Sequence, residues 1–457
     1  MKSSSASAST HPARSGGLAL ALSAIVAALG SFLFGFDTAV ISGTTGALRT
    51  VFELSDGMLG FTVSSALIGT MIGALGAAKP ADRWGRKPML VVLAVFFLVS
   101  ALGCAFAWNW HALIVFRFLG GIAVGAASVV SPLYITEISP AHRRGLLVTI
   151  SQLNIVVGIL GAFLSNYIVI AILGENSLTA WRWMLGVMAG PSLIFLVSAL
   201  LIPESPRWLV KAGRNAEAEQ VLLRVGHATA AEKVAEITRS LQEDQAKAHQ
   251  KLFHRAHLKP LLLAMMIAAF NQLDGINAVL YYSGDIFKMA GASNTNALMQ
   301  SVMVGFVNLV MTLVAMTLID RLGRKPLLLI GSVTFIASHL LAAWAFATHA
   351  TGWPLLVAMM GVVGSHAYSQ GAVVWVIINE VLPNSVRAGG SAAACFLMWS
   401  LCCIISWTFP VVAAKSGALV FGFFAAMMAL QFILVWRFLP ETKGVSLEDM
   451  QVQLGRH

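Results

Sequence analysis

Two ionisable side chains of opposite charge, Asp37 and Arg117, stand inside long apolar stretches. An ionisable group in a membrane-spanning segment costs about 2.5–3.5 kcal/mol on insertion scales, so its presence asks for a role. Asp37 lies five residues before Ser42, where its run ends, and Arg117 five residues after Ala112, near the start of its own. The two runs are the first and the fourth, so they cross in opposite directions. At 1.5 Å per residue both groups sit about 7–8 Å from the same membrane face. Burial favours a neutral carboxylic acid, and a neighbouring guanidinium favours the carboxylate. A proton on Asp37 would then depend on whether Arg117 is engaged, which is what a proton-coupling site needs. The alternative is a permanent ion pair that only fixes packing.

A second polar group lies in the seventh run, where Asn271, Gln272, Asp274 and Asn277 surround Gly275 and precede Tyr281 and Tyr282. Polar groups in a span must find partners, and a glycine there lets a helix break and line a cavity. Gln152 and Asn154 lie in the fifth run, Asn308 in the eighth, and Gln370 and Trp375 in the tenth. Amides both donate and accept hydrogen bonds. With aromatic faces they suit an uncharged, polyhydroxylated ligand, although single amides such as Asn154 or Asn166 also serve as interhelical glue. Asp274 could bind a hydroxyl, share a proton or face water, and His366 could join it or simply pack. Binding and passage of such a ligand involve no chemistry, so an enzyme is not expected.

The elements that must position these residues are membrane helices. The chain is 58% hydrophobic and 11% charged, against about 25% charged in soluble domains. Six runs long enough to span precede a central polar stretch: 17–42, 58–79, 88–108, 111–135, 146–171 and 182–202. Six more follow it: 259–283, 298–319, 325–347, 354–382, 387–412 and 416–438. The first run is too long for a cleaved signal peptide. The formal net charge of +10 is no nucleic-acid signal, because the basic residues cluster in alternate loops. Short Lys/Arg-rich loops face the cytoplasm, which puts both termini inside. Cys104, Cys395, Cys402 and Cys403 all fall in spans and form neither a disulfide framework nor a metal spacing; no metal and no cofactor is expected.

Three motifs occur twice, about half the chain apart: Asp82-Arg-Trp-Gly-Arg-Lys-Pro88 with Asp320-Arg-Leu-Gly-Arg-Lys-Pro326, Glu137 to Arg144 with Glu380 to Arg387 (both Glu-x-x-Pro-x-x-x-Arg), and Pro203-Glu204-Ser205 with Pro440-Glu441-Thr442. Such an order implies two related bundles. The expected organisation is a disordered cytoplasmic N-terminus (1–16), a six-helix bundle (17–202), cytoplasmic linker helices (203–258), a second six-helix bundle (259–438) and a cytoplasmic tail (439–457). Gly69-x-x-x-Gly73 and Gly121-x-x-x-Gly125 are patterns that let helices approach closely in lipid.

From about residue 17 to 448 the chain resembles the sugar porter family of the major facilitator superfamily. The likeness rests on Phe34-Gly-Phe-Asp37-Thr-Ala-Val-Ile-Ser-Gly43, the two basic loops, Arg117-Phe-Leu-Gly-Gly121, Pro132-Leu-Tyr-Ile-Thr-Glu137, Pro203-Glu-Ser-Pro-Arg-Trp-Leu209, Gly275-Ile-Asn277 and Pro440-Glu-Thr-Lys-Gly444. It is nearest to the family's bacterial proton-coupled hexose and pentose symporters. The resemblance implies an all-α membrane protein of twelve transmembrane helices in two pseudo-symmetric six-helix bundles, the major facilitator fold. It places Gln152, Gln272, Asn277, Asn308, Gly371 and Trp375 on sugar-binding positions, with Asn271 beside them, and Phe34, Tyr281 and Trp399 on the lining. Asp37 and Arg117 fall on the proton-coupling pair. Ion pairs of a cytoplasmic gate are implied among Asp82, Arg83, Arg86, Glu137, Arg144, Asp320, Arg321, Arg324, Glu380 and Arg387.

The expected activity is import of a monosaccharide with protons by alternating access, in a bacterial inner membrane, by a monomer. A passive facilitator, a polyol or inositol transporter and a non-transporting sugar sensor are the competing readings. The chain departs from these symporters at Asn271, where a glutamine is usual, at Met398 and Ile159, which replace binding glutamines, at Gln370 and His366, which replace aromatics, at Ala372, which replaces a proline, and at Ala77-Ala78, which replace glycine. The ligand-facing changes bear on which sugar binds.

Overall fold

The structure is a computed structural model that describes residues 12–139, 141–226, 229–246, 254–350, 352–383 and 386–445. The side chains of Arg144 and Asp320 lie outside the described residues, as do the tail beyond 445 and residues 1–11.

Among the described residues, twelve helices are long and apolar enough to cross a membrane. Spans 1 to 6 are Leu22–Gly43, Asp56–Gly76, Arg86–Ala105, Trp110–Ile138, Ile150–Leu173 and Ala180–Leu201. Spans 7 to 12 are His257–Met289, Asn294–Ile319, Arg324–Ala347, Trp353–Val381, Arg387–Ala413 and Gly417–Phe438. The expected twelve-span plan therefore holds, with boundaries shifted by a few residues. One boundary needs correction. Residues 12–16, expected to be disordered, lie within the helix Pro12–Val40.

The glycine patterns act as expected. Gly69 and Gly73 lie against backbone of Phe118 and Ile122, while Gly121 and Gly125 lie against backbone of Ala66 and Thr70. Spans 2 and 4 thus meet at a distance that leaves no room for a methyl group on either side. Three short helices, Pro206–Lys211, Asn215–Arg224 and Ala230–Ala246, form the linker. Their amphipathic pattern is satisfied in a small core of its own, built on Leu209, Val210, Ala218 and Val221.

The two bundles touch most closely at the end away from the basic loops. Gly60 of span 2 sits on the backbone of Trp407 in span 11, and the Trp407 indole N–H donates to the Gly57 carbonyl at 3.2 Å. Glu175, in the loop after span 5, accepts from the Thr295 backbone N–H at 3.1 Å and from the Ser293 hydroxyl at 3.3 Å. Deeper in, Cys403 of span 11 donates through Sγ to the Ser64 carbonyl of span 2 at 4.0 Å. Toward the basic loops Gln152 and Trp375 are exposed.

Candidate functional site

The seventh span is broken. Gly275 has φ +78 and a phenyl ring, Phe424, where a Cβ would stand. Both facts select glycine. The break leaves the N-terminal amides of the following segment without helical partners, and Asp274 answers by accepting from the Ile276 N–H through Oδ1 at 2.9 Å. It also places the amides from its two sides together. Asn277 Nδ2 donates to Gln272 Oε1 at 2.6 Å, and Gln272 Nε2 donates to Asn271 Oδ1 at 2.8 Å. Three of the expected ligand-binding residues therefore form one hydrogen-bonded chain. Within it, Asn271 fills its position as an acceptor.

Other expected residues are arranged around this chain without being bonded to it. Phe34 and Trp399 bring their rings to 6.0 Å, and both line one small cavity with Tyr281 and Asp37. Asn308 is buried on span 8. Gly371 lies beside the His366 ring. Gln152 and Trp375 stand exposed on the open walls, and no hydrogen bond among the described residues joins Gln152, Asn308 or Trp375 to the chain of amides.

Asp37 and Arg117 do meet, as their depths imply. The nearest atoms, Arg117 Nη1 and Asp37 Oδ1, are 3.9 Å apart, with both side chains almost fully buried. That separation keeps the Coulombic attraction but is too long for a hydrogen bond. Arg117 Nε has no partner among the described residues. The cavity between them has about 10 Å³ of room for a water centre, which is space for about one water. The pair is engaged but loose, and a water or a proton could reach it where a sugar could not.

The basic loops form two charged clusters, each inside its own bundle. Arg86 makes a fork to Glu137, with both bonds at 2.8 Å, and Asp82 approaches Arg86 at 3.1 Å. In the second half Arg324 reaches Glu380 at 3.2 Å. The remaining gate residues with described side chains make other contacts. Arg387 donates to the Leu382 carbonyl at 3.3 and 3.2 Å, Arg83 is exposed, and Arg321 offers its backbone carbonyl to Lys443 Nζ at 2.8 Å. No ion pair between the bundles is present among the described residues. The gate charges with described side chains find partners within their own half or stand exposed.

Sequence reasoning missed four members of these clusters. Glu204 accepts from the backbone N–H groups of Arg86 at 2.9 Å and Lys87 at 3.1 Å. Glu441 does the same for Arg324 and Lys325, both at 3.0 Å. Each carboxylate thus faces the positive end of a helix. Ser205 donates its hydroxyl to Glu137, and Thr442 donates to Glu380. The signal was present as the repeated Pro-Glu-Ser/Thr motif, which has no evident partner until the chain folds. Burial pushes the Glu204 carboxyl above its ordinary value, and the backbone N–H groups of Ser205, Lys87 and Arg86 oppose that push.

With this geometry in hand, comparison with known proteins is informative. Residues 23–454 match the family model described as sugar (and other) transporter. The chain is 38% identical over 93% of its length to a glucose transport protein of Synechocystis, covering 95% of that protein. It is 36% identical to the D-xylose-proton symporter of Escherichia coli K12, over 93% of this chain and 94% of the other. The arabinose-proton symporter of Bacillus subtilis is also 36% identical, over 93% of both chains. Among solved structures, the inward-open xylose transporter of E. coli superposes with TM-score 0.84 at 35% identity, covering 94% of this chain and 98% of the other. The proton:xylose symporter bound to 6-bromo-6-deoxy-D-glucose gives 0.77 at 36% identity, over 95% and 99%.

Proposed function

We propose that this chain, a member of the sugar transporter family, imports a monosaccharide together with protons by alternating access. It is a transporter and not an enzyme, as the family dictates. In this reading it works as a monomer in the bacterial inner membrane, with both termini and the basic loops on the cytoplasmic side. The proton is the coupling ion, and no cofactor takes part.

The observation that carries the reading is the loose Asp37–Arg117 pair, 3.9 Å apart, on a cavity shared with Phe34, Tyr281 and Trp399. A carboxylate held tightly by a guanidinium would not readily take a proton, and one with no cation nearby would not readily release it. The observed spacing lies between these limits. Asp37 takes its proton from the outer side, Arg117 is released, and the bundles rock about the bound sugar. The chain Asn271–Gln272–Asn277 supplies donors and acceptors for hydroxyls, while Phe34, Trp399 and Trp375 offer faces to the apolar side of the ring. Sugar class is supported by the names of relatives, a glucose transport protein and symporters of xylose and arabinose. The open basic-loop end and the higher TM-score against an inward-open structure than a sugar-bound one support an inward-facing state.

Uptake of radiolabelled D-glucose, D-xylose and L-arabinose in cells with a controlled proton gradient tests this. Asp37→Asn is expected to abolish accumulation against a gradient while leaving equilibration. A mutant that still accumulates sugar removes the coupling role. Gln272→Ala and Trp375→Ala are expected to weaken sugar binding, and unchanged binding in both would refute the site. Sugar-induced alkalinisation of the medium separates symport from passive facilitation.

A further inference from the structure

Spans 7 and 10 both break beside the amide chain, and one titratable contact joins the two breaks. Span 10 is interrupted at Ser369, whose φ and ψ are −110 and −88. His366 stands in the last turn before it. Asp274 is 0% exposed. Its Oδ1 holds the Ile276 N–H at 2.9 Å, and its Oδ2 lies 2.7 Å from His366 Nδ1. Its backbone carbonyl lies 2.9 Å from His339 Nε2. A carbonyl only accepts, so Nε2 of His339 carries the hydrogen. The Asp274 side is sealed, whereas the His366 side chain keeps 18% exposure and its ring borders Gly371.

We infer that Asp274 and His366 are positioning residues that hold one proton between them, separate from Asp37, and with it fix the geometry of the amide chain. Gln272 and Asn277 flank the break that Asp274 caps, so movement of its carboxylate moves both. A carboxylate with an imidazolium and a carboxylic acid with a neutral ring are both neutral as pairs, which is what a dry site tolerates. Loss of the shared proton leaves a lone buried charge, and the joint between the two breaks is then strained toward water. The joint is therefore present at lower pH and loosens as pH rises. Span 11 brings the Cys402 thiol beside Asn277 and Tyr281. His339 of span 9 holds the Asp274 carbonyl, and Tyr368 of span 10 turns its hydroxyl to Thr334 of span 9. Span 12 meets the break through Phe424 and span 8 meets span 10 through Val307 and Met311. The first turn after the break, Ile276 to Val279, carries no titratable side chain.

This inference rests on the amide chain being the sugar site, so the test has one arm that needs sugar and one that does not. The background is full-length Asp37→Asn, which silences the coupling carboxylate. D-glucose binding is followed by tryptophan fluorescence across a pH series. Hydrogen exchange of peptides covering 270–284 is followed in parallel, corrected for intrinsic rates. Binding is expected to weaken about fivefold or more as pH rises, with protection at 270–284 falling alongside. Adding Asp274→Asn keeps the cap on Ile276 but presents an N–H to His366 Nδ1, so protonation of the ring now opposes the contact and both trends reverse. His366→Asn keeps a donor but not the titrating ring, and is expected to move the midpoint. Trends that are unaltered by Asp274→Asn, or a midpoint unmoved by His366→Asn, overturn the inference. If D-glucose, D-xylose and L-arabinose all fail to bind at every pH, the sugar reading falls, and the exchange data alone decide the role of the pair.

Discussion

The two charged clusters at the basic-loop end share one sequence pattern but differ in tightness. In the first half Arg86 forks onto Glu137 at 2.8 Å, with side-chain exposures of 6% and 5%. In the second half Arg324 makes a 3.2 Å contact to Glu380, with exposures of 15% and 26%, and its Nε is without a partner among the described residues. The first cluster is roofed by the linker. Ser205 caps the helix Pro206–Lys211 by accepting from Trp208 N–H at 3.2 Å, the Trp208 indole donates to the Asp82 carbonyl at 3.0 Å, and Lys211 pairs with Asp82 at 3.1 Å. The roof excludes water, and a charged pair in a drier place is at once stronger and more costly to break. A repeated motif therefore sets the partners, while its neighbours set how firmly they hold.

The widest gap between the halves is expected on removing a guanidinium. Arg86→Ala leaves Glu137 buried and unpaired, which costs about 3–5 kcal/mol. Arg324→Ala loses one bond at a wetter site, at about 1.5–3 kcal/mol. Thermal unfolding in detergent should rank them in that order, and equal losses would erase the asymmetry. Next comes the hydroxyl of the Pro-Glu-Ser/Thr motif. Ser205→Ala loses both a bond to Glu137 and a helix cap, about 2 kcal/mol together, and should exceed Thr442→Ala, which loses the bond to Glu380 alone.

Smaller effects come from the capping carboxylates. Glu204→Gln keeps an acceptor for the Arg86 and Lys87 amides and removes a carboxylate whose burial outweighs its attraction to the helix end, so at neutral pH it is expected to raise stability slightly, by about 0.3–1 kcal/mol. Salt should narrow the difference from wild type, and a salt-independent change would assign the effect to packing. The least effect is a pH slope. Burial holds the Glu204 carboxyl above its ordinary value, so the folded chain binds that proton more tightly than the unfolded chain. Stability from this group is present at low pH and is withdrawn as pH rises above the unfolded value of 4.5. Glu204→Gln should flatten that part of the melting-temperature profile; a slope that persists in the variant belongs to another group.

Much of this molecule is written locally. Twelve spans follow from run length, because backbone groups in lipid must be satisfied within a helix. The two-bundle plan follows from motifs that recur in order. The close crossing of spans 2 and 4 follows from glycines at helical spacing, and the break in span 7 from Gly275 among polar neighbours. Asp37 and Arg117 were paired by depth alone, since antiparallel helices of known rise fix height. What height cannot fix is separation, and 3.9 Å in place of a bonded pair is a product of how spans 1 and 4 pack.

Partner choice across long stretches of chain was decided only by the tertiary structure. Glu204 and Glu441 cap helices that begin more than a hundred residues earlier, and neither cap shows any local spacing. Arg387 settles on the Leu382 carbonyl, a partner that no charge pattern in the sequence points to. The contact of Asp274 with His366 joins two helix breaks that are far apart in sequence. Composition and periodicity report which groups are buried, because burial is a property of a residue and its near neighbours. Which charge meets which is a property of packing, and it exists only once the two bundles and their linker have closed around the same space.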